Sequence, residues 1–508
     1  MIVLDGHSLT LKELIKIAEN KVSVSIAADN KKAIDQASKY ISQVVKNKKP
    51  IYGINTGFGH FSQTMIDNEK LEDLQTNLLL SHACGVGKML PETVVRAMMA
   101  LRINALIQGF SGIRYQTIKQ LLLLLNKNIT PVVYEQGSLG ASGDLALLSH
   151  MSLPLLGMGE VIYQNKIIKA ETAYQHLGLE PLPKLYPKEG LSLINGTQGM
   201  SAIGGLALNE AFKLLNLANL ALTLTMEALE GLTSAYDEKV QQLRKQDGQI
   251  AVAKQLRTLL KGSVYATKYS KEKVQDAYSL RCGPQVHGAS LGVFWHVKEI
   301  VENEFNAVTD NPLVFIAEDE VISAGNFHGQ PLALAFDYLA IAVSELANIS
   351  ERRIERLVNP QLNNGLPPFL TKHSGLNSGF MIVQYTAASL VSENKSLSHP
   401  ASVDSIPSSA NQEDHVSMGS ISARKARDII ENTRKVIAME LLTACQALDF
   451  KGIEGAGKIA QQTHRLIRTK IPFIANDEAL YPHLQKIEKL LLDDNFYSTL
   501  FKGVDLIE

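Results

Sequence analysis

The chain has 508 residues, of which 45% are hydrophobic and 20% are charged, and its formal net charge at pH 7 is -1. This composition is typical of a globular protein with a large core, and the length allows about two to four domains. Lysine and arginine are scattered among aspartate and glutamate, so the charge gives no electrostatic reason to bind nucleic acid or an anionic membrane.

The sequence predicts a protein of the cytoplasm. Residues 1–20 lack a basic region followed by an apolar stretch, so we predict no signal peptide. Two long uncharged stretches, 190–209 and 375–392, contain too many polar residues to span a bilayer. The three cysteines are far apart in the chain: Cys84, Cys282 and Cys445. They form no zinc pattern, and we expect buried free thiols, which suit a reducing compartment.

The N-terminal part of the chain predicts several short elements. Thr10 and Glu13 form a capping box at the start of a helix whose apolar residues recur with helical spacing. Further helices are predicted over residues 92–108 and 116–125. Two hairpins are predicted as well, and both are too small to form a sheet core alone. They occupy residues 161–168 and 313–322.

The second half of the chain contains much longer helical runs. They are predicted over residues 206–229, 331–358 and 421–450. Helices of this length that are apolar on more than one face must pack among other helices. The sequence therefore predicts a mainly α protein with a smaller mixed N-terminal domain, residues 1–200, and a long central helical bundle, residues 201–508.

Residues 137–145 read Gly-Ser-Leu-Gly-Ala-Ser-Gly-Asp-Leu and allow two interpretations. The first is a turn followed by a helix, with Ser142 or Asp144 as the N-cap. The second is autocatalytic ring closure, in which the amide nitrogen of Gly143 attacks the carbonyl carbon of Ala141 and two waters are lost. Glycine is needed as the attacking residue because a side chain would block the approach and forbid the required dihedral angles.

This segment resembles the motif of the aromatic amino acid ammonia-lyases, in which Ala-Ser-Gly forms a 4-methylidene-imidazol-5-one (MIO) prosthetic group. Four further segments resemble other signatures of that family, in the same order along essentially the whole chain. They are residues 52–59, 195–197, 278–282 and 325–328. The resemblance implies the ammonia-lyase (L-aspartase-like) fold, no external cofactor, and a homotetramer whose active sites each draw residues from three subunits.

The resemblance also implies roles in catalysis. The MIO group would form from Ala141, Ser142 and Gly143. Tyr52 would be the base that removes the β-proton, and Tyr278 would act beside the electrophile. Because free tyrosine has a pKa of about 10, a tyrosine base needs a lowered pKa or a stabilised phenolate.

Four other residues are assigned to the substrate pocket by the resemblance. Arg281 would clamp the substrate carboxylate, because its planar guanidinium matches two oxygens at once. Asn195 would form a hydrogen bond near the MIO carbonyl or the carboxylate, and Phe327 would form part of the wall against the ring. Gln275, one helical turn before Tyr278, would orient these groups. Without the resemblance, Tyr278 and Phe327 would be core residues and Arg281 an ion-pair residue.

Two positions bear on the choice of substrate. His82 can donate or accept a hydrogen bond with a substrate ring, but some tyrosine-specific members of the family also place Ser-His there. Glu413 is the better discriminator, because a carboxylate accepts a hydrogen bond from imidazole, and members acting on phenylalanine or tyrosine tend to have glutamine. Residues 377–381, 392–395 and 399–405 also resemble histidine-specific members. A solvated or helix-capping carboxylate is the alternative for Glu413.

The resemblance thus implies L-histidine as the substrate and trans-urocanate and ammonia as the products, the first step of histidine degradation to glutamate. The alternatives are a tyrosine or phenylalanine ammonia-lyase, or a 2,3-aminomutase with the same MIO group. A helical assembly protein that has kept the fold and lost the chemistry would need broken motifs, and here they are intact. The 13 histidines are dispersed without a His-x-x-x-His helix pair, so we predict no metal site.

Overall fold

The computed structural model describes residues 1–46, 51–57, 59–61 and 64–508. The side chain of His60 is outside this description, and so is Phe58, which belongs to the predicted family signature at residues 52–59. Within the described residues the chain forms 19 α-helices and nine short strands. The predicted mainly α fold class is therefore confirmed.

Eight helices lie in the N-terminal part of the chain. They are α1 (Leu11–Ala18), α2 (Asn30–Lys46), α3 (Leu71–His82), α4 (Glu92–Leu106), α5 (Tyr115–Asn126), α6 (Leu145–Ser152), α7 (Ala170–Leu177) and α8 (Glu189–Ile194). The capping box of Thr10 and Glu13 is present at the start of α1, and α4 and α5 begin and end within two residues of the predicted bounds. These predictions are confirmed because capping residues and apolar spacing are local signals.

The strands are short and form four small sheets. They are β1 (Ile2–Leu4), β2 (Val24–Ile26), β3 (Val86–Met89), β4 (Thr130–Pro131), β5 (Tyr134–Gln136), β6 (Glu160–Tyr163), β7 (Lys166–Lys169), β8 (Leu313–Phe315) and β9 (Glu320–Ile322). Strands β1 and β2 pair in parallel, and the other pairs, β3–β5, β4–β6, β6–β7 and β8–β9, are antiparallel. Both predicted hairpins are confirmed, and the first gains β4 as a third strand. Its turn residues, Gln164 and Asn165, both have positive φ, as a two-residue hairpin turn requires.

The later helices include much longer ones. They are α9 (Gln198–Ala228), α10 (Glu238–Arg244), α11 (Asp247–Leu259), α12 (Tyr278–Arg281), α13 (Gly283–Phe305), α14 (Gln330–Val358), α15 (Met381–Leu397), α16 (Gly419–Lys451), α17 (Lys458–Arg468), α18 (Tyr481–Leu492) and α19 (Asp494–Leu500). Helices α14 and α16 match the predicted bounds within two residues. Helix α9 begins at Gln198 rather than at Leu206, because its glycines are packing positions and not helix ends. A Cβ on Gly204 would overlap the ring of Phe336.

The chain groups into two compact units, each made of three segments. The first unit comprises Met1–Leu206, Lys298–Asp337 and Pro400–Arg424. The second comprises Ala207–Val297, Tyr338–His399 and Lys425–Glu508. The first segment ends near the predicted boundary at residue 200, but the first unit also contains two later segments. Because compact grouping alone does not define folding domains, the division into residues 1–200 and 201–508 stays a prediction.

A buried polar cluster joins the long helices of the second unit. Glu440 of α16 pairs with Arg353 of α14 at 2.8 Å. Its two oxygens also accept hydrogen bonds from Thr225 of α9, at 2.8 Å, and from Ser350 of α14, at 2.6 Å. All four side chains are fully buried. Because a buried carboxylate needs a paired charge and satisfied oxygens, these contacts favour one arrangement of the three helices, and the predicted helical bundle is confirmed.

One helix among the described residues, α14, is long and apolar enough to cross a membrane by length and composition alone. It was not among the stretches that the sequence analysis weighed for this property. In its most apolar window, 67% of the residues are buried within the structure. The core helix of a bundle has the same property, so the apolar character of α14 follows from its packing.

The cysteines differ in their surroundings. Cys445 is buried, Cys282 is half-buried and Cys84 is exposed, and all three are free thiols. The prediction of three buried thiols is therefore confirmed for Cys445, met only in part for Cys282 and wrong for Cys84. This residue follows the C-terminal end of α3 in a connecting loop, where no packed face covers it.

Candidate active site

The Ala-Ser-Gly tripeptide lies in a buried loop between β5 and α6. The amide of Met418 donates a hydrogen bond to the carbonyl of Leu139 at 2.8 Å, which ties the loop to the segment before α16. Ala141 packs with Val416 and Met418 in a small buried apolar cluster. The start of the tripeptide is therefore held by the main chain on one side and by apolar packing on the other.

Gly143 lies against the main chain of Gly196. The two residues form an isolated parallel bridge, and the amide of Asp144 donates to the Gly196 carbonyl at 2.7 Å. Gly143 has a φ of +75°, and a Cβ there would overlap the Gly196 carbonyl. Only glycine fits this position. The residue that ring closure requires is thus the residue that the local geometry demands, and the tripeptide fits the MIO group.

We expect Gly143→Ala to lower the melting temperature much more than Gly178→Ala. Both glycines have positive φ, +75° and +61°. Both substitutions therefore carry a similar backbone cost of about 1–2 kcal/mol. At Gly178 a Cβ meets no atom of the described residues within 4 Å, whereas at Gly143 it overlaps the Gly196 carbonyl. Thermal unfolding of the two variants measures the difference, and equal shifts would contradict the close approach of the two main chains.

Asp144 occupies the N-cap position of α6, but its side chain makes no capping hydrogen bond. Its carboxyl group instead accepts hydrogen bonds from the Ser138 hydroxyl at 2.9 Å and from the Met200 amide at 2.7 Å. Burial raises the pKa of Asp144 to about 6, an effect that these donors partly offset. The predicted turn followed by a helix with Asp144 at the N-cap position is therefore present, but the Asp144 side chain binds the loop and α9 instead of capping α6.

A cavity of 220 Å³ opens beside this loop, within the first unit. It brings together five residues that the sequence analysis assigned to the site: Tyr52, His82, Ser142, Asn195 and Glu413. Seven further residues line it: Gly59, Leu78, Leu145, Leu191, Ile194, Ser408 and Ser409. The apolar members were missed, because a leucine in a cavity wall and a leucine in the core produce the same sequence pattern.

Glu413 directs its carboxylate at Ser142. The Ser142 hydroxyl donates to Oε1 at 3.1 Å, and the Ser408 hydroxyl donates to Oε2 at 2.9 Å. The main chains of Ser408 and Glu413 also exchange two hydrogen bonds, at 2.9 and 3.2 Å, which fix the position of the carboxylate. Because both oxygens are bound in the cavity wall, these contacts favour a role in the pocket over a solvated or helix-capping carboxylate.

Tyr52 is half-buried and lines the same cavity. Burial raises the pKa of its phenol, and the negative charge of Glu413 raises it further. The amide of Gly59 donates a hydrogen bond to the phenol, which has the opposite effect. These surroundings do not give the lowered pKa that a tyrosine base needs. Stabilisation of the phenolate must therefore come from a group that joins the cavity, such as a cationic substrate.

His82 is the last residue of α3, and its Nδ1 lies 3.0 Å from the Ser81 hydroxyl oxygen. Burial lowers the pKa of this imidazole, while a hydrogen bond to the Leu78 carbonyl and the charge of Glu413 act in the opposite direction. The net effect favours the neutral form of the ring. A neutral imidazole has one donor and one acceptor nitrogen, which suits hydrogen bonding to a polar substrate ring.

Asn195 is the C-cap residue of α8 and is 2% exposed. Its Oδ1 accepts no hydrogen bond from any residue that the structure describes. An unsatisfied buried acceptor costs about 1–3 kcal/mol, and a ligand that donates a hydrogen bond to it recovers that cost. Since Asn195 lines the cavity, this oxygen is suited to a donor on a bound molecule, such as a substrate ammonium group.

Tyr278 and Arg281 belong to the second unit and form the two ends of the short helix α12. Tyr278 is 70% exposed, and its ring centroid lies 4.7 Å from the guanidinium carbon of Arg281. The Arg281 Nε is buried and has no hydrogen-bond partner within the described parts of the chain. Tyr278 is therefore not a core residue, and among the described residues no carboxylate forms a salt bridge with Arg281.

Gln275 and Phe327 differ from expectation. Gln275 is exposed in the loop before α12, which begins only at Tyr278, so its predicted position one helical turn earlier is wrong. Phe327 is half-buried between β9 and α14 and is not among the described residues that line the cavity. The next residue, His328, connects this segment to the site. Its ring stacks on the ring of His415 with 5.9 Å between the centroids, and His415 lies two residues after Glu413 in the chain.

A comparison with known proteins identifies the family of this chain. The model of the aromatic amino acid lyase family matches residues 9–469 of the chain. The chain belongs to this family. This membership confirms the predicted resemblance and the predicted fold class, and it confirms that the enzyme is a lyase.

Individual relatives agree over nearly the full length. The chain is 50% identical over 505 residues to the protein named histidine ammonia-lyase of Alkaliphilus oremlandii, and the match covers 99% of each. Among solved structures, it is similar to histidine ammonia-lyase from Trypanosoma cruzi, with a TM-score of 0.91, 44% identity and coverage of 99% and 96%. It is also similar to tyrosine aminomutase from Streptomyces globisporus, with a TM-score of 0.95, 35% identity and coverage of 100% and 99%.

Proposed function

We propose that this member of the aromatic amino acid lyase family deaminates L-histidine to trans-urocanate and ammonia, the first step of histidine degradation. The observation that carries the proposal is the Glu413 carboxylate, held 3.1 Å from the serine of the Ala-Ser-Gly tripeptide. A carboxylate at this place favours a substrate ring with N–H donors and positive charge, and it offers a phenyl ring nothing. The relatives named histidine ammonia-lyase support the same substrate.

We further propose that Ala141, Ser142 and Gly143 mature into the MIO group. The Gly143 nitrogen would form a bond to the Ala141 carbonyl carbon, whose oxygen leaves as water with one hydrogen from Gly143 N and one from Ser142 N. Ser142 would then lose its hydroxyl and its α-hydrogen as a second water. The balance needs no oxidant or external reagent. The finished group supplies an electrophilic carbon, which ordinary side chains do not offer.

The cavity residues would hold the substrate and move its proton. Glu413 would bind the imidazole ring, with His82 as a second hydrogen-bonding partner. Asn195 would accept a hydrogen bond through its unsatisfied Oδ1. Tyr52 would take the β-proton as a phenolate. A cation paired with Glu413 offsets the charge that raises the Tyr52 pKa, so substrate binding itself favours the basic form.

We propose a homotetramer in which Gln275, Tyr278 and Arg281 serve the cavity of a neighbouring subunit. Two observations support it: the exposed ring of Tyr278, and the buried Arg281 Nε without a partner among the described residues. Coexpression of Ser142→Ala with Tyr278→Phe tests the sharing of residues. We expect the mixed protein to recover activity that each variant lacks alone, and activity no higher than the sum of the two would contradict shared sites.

The cellular compartment of the protein stays a prediction made from the sequence. We propose a cytoplasmic protein, because the free and exposed thiol of Cys84 is suited to a reducing compartment. Fractionation of the source cells, followed by an assay for the protein, measures the location, and recovery outside the cytoplasmic fraction would contradict it.

Product analysis with L-histidine, L-tyrosine and L-phenylalanine tests the reaction. We expect urocanate and ammonia in equal amounts from L-histidine, and little turnover of the other two. The second candidate is an aminomutase, since a tyrosine aminomutase shares the fold with a TM-score of 0.95. A β-amino acid product would favour that candidate, and coumarate or cinnamate as the main product would overturn the assignment of L-histidine.

A further inference from the structure

The hydroxyl of Ser138 contacts the main chain on both sides of the tripeptide. The Gly140 amide, just before the tripeptide, donates to Ser138 Oγ at 3.1 Å. On the other side, Ser138 Oγ donates to the carbonyl oxygen of Gly143 at 3.2 Å and to Asp144 Oδ1 at 2.9 Å. The Ser138 side chain is buried, so water does not compete for these contacts.

These contacts require a bent main chain. The Gly140 nitrogen and the Gly143 oxygen both lie within 3.2 Å of one atom. They are therefore no more than about 6.4 Å apart, whereas a fully extended segment of four residues spans about 13 Å. Ring closure brings the Gly143 nitrogen onto the Ala141 carbonyl carbon, which needs a bend at this place.

The single hydrogen of the Ser138 hydroxyl serves either of two acceptors, and both follow Ser142 in the chain. Whether it lies on the Gly143 carbonyl or on the Asp144 carboxyl group, the hydroxyl joins the main chain before the tripeptide to the main chain after it. The anchor itself is fixed, because the Ser138 carbonyl accepts a hydrogen bond from the Ser420 hydroxyl at 2.9 Å.

We infer that Ser138 is a positioning residue for formation of the MIO group, which its hydroxyl promotes by holding the two ends of the Ala141–Gly143 tripeptide together. The inference rests on the proposed maturation of this tripeptide. Ser138 gains and loses no proton in it. Its contribution is to raise the fraction of time that the Gly143 nitrogen spends near the Ala141 carbonyl carbon, which speeds an intramolecular reaction.

The test compares Ser138→Thr with Ser138→Val, two side chains of the same shape that differ in the hydroxyl. Intact mass is followed over time after cell-free synthesis of the full chain, and the loss of two waters reports maturation. We expect Ser138→Thr to mature at nearly the wild-type rate and Ser138→Val at least about tenfold more slowly, since proximity effects on intramolecular reactions are large. Once matured, the Val variant should have an unchanged KM.

Ser149→Ala serves as the control. Ser149 is fully buried in α6, and its hydroxyl has no hydrogen-bond partner in the described structure, so its loss should leave maturation unchanged. Equal maturation of the Thr and Val variants, at similar melting temperatures, would overturn the role of Ser138 and leave the MIO proposal intact. A wild-type chain that never loses two waters would instead overturn the MIO proposal. Ser138→Ala gives a third comparison if the larger side chains fail to fold.

Discussion

Ser142→Ala is expected to give a folded protein in which turnover of L-histidine falls by a factor on the order of 10³ or more, the range seen when a covalently acting group is removed. Without the Ser142 hydroxyl there is no second water to lose, and the electrophilic carbon does not form. A steady-state assay that follows urocanate absorbance measures the loss.

The fold should survive this substitution. In the chain before maturation Ser142 contributes one side-chain hydrogen bond, to Glu413, with a net value of about 1 kcal/mol, and maturation itself removes this hydroxyl. In a protein of this size that corresponds to a fall in melting temperature of no more than about 4 °C. Ser149→Ala, which removes a buried hydroxyl of the next helix, should keep full activity. Activity of Ser142→Ala within tenfold of wild type would contradict the role of the tripeptide.

Glu413→Gln is expected to lower kcat/KM for L-histidine by a factor of about 10² to 10⁴, the range in which buried hydrogen-bonding groups discriminate between substrates. Glutamine has the same size, and its amide nitrogen can donate to the Ser408 hydroxyl oxygen while its amide oxygen still accepts a hydrogen bond, so the change removes charge without removing the wall. The ratio of kcat/KM for L-histidine to that for L-phenylalanine should fall with it. Both values come from steady-state kinetics with each amino acid.

Asp414→Asn provides a matched control for Glu413→Gln. Asp414 is the next residue in the chain, but it is exposed and is not among the residues that line the cavity. Its replacement removes one negative charge from the same segment and should change kcat/KM by less than about threefold, as expected for a screened surface charge. Similar losses in both variants would show that the general charge of this segment, and not the cavity carboxylate, affects the reaction.

The pH dependence of the Glu413→Gln variant gives a separate test of Tyr52. Because the Glu413 charge raises the pKa of Tyr52, its removal should lower that pKa. The phenolate then forms at lower pH, and the ascending limb of kcat/KM against pH, which reports the free enzyme, should move to lower pH. A limb that stays in place or moves to higher pH would contradict Tyr52 as the base beside Glu413.

Local signals predicted much of the fold. The capping box at Thr10, the hairpin of β6 and β7 and the bounds of α14 follow from residues close together in sequence, and the structure confirms them. The start of α9 could not be predicted in the same way. Glycine at position 204 reads as a helix end, and only its contact with Phe336, far along the chain, shows that it is a packing residue.

The sequence predicted which residues belong to the site more successfully than it predicted their positions and contacts. Chemically distinctive residues such as Glu413 and Asn195 were found from motifs, and the structure brings them to one cavity. The hydrogen bonds that hold Glu413, and the Ser138 contacts around the tripeptide, depend on pairs that sequence spacing does not connect. Gln275 was misplaced because helical spacing was assumed for a loop.

The tryptic peptide Asn128–Lys166 of the purified wild-type protein carries the whole 137–145 segment, and its mass tests the central claim most directly. The account predicts a peptide lighter than its sequence by two waters, with the loss confined by fragmentation to Ala141–Gly143. An unmodified peptide from protein that still releases ammonia from L-histidine would contradict it.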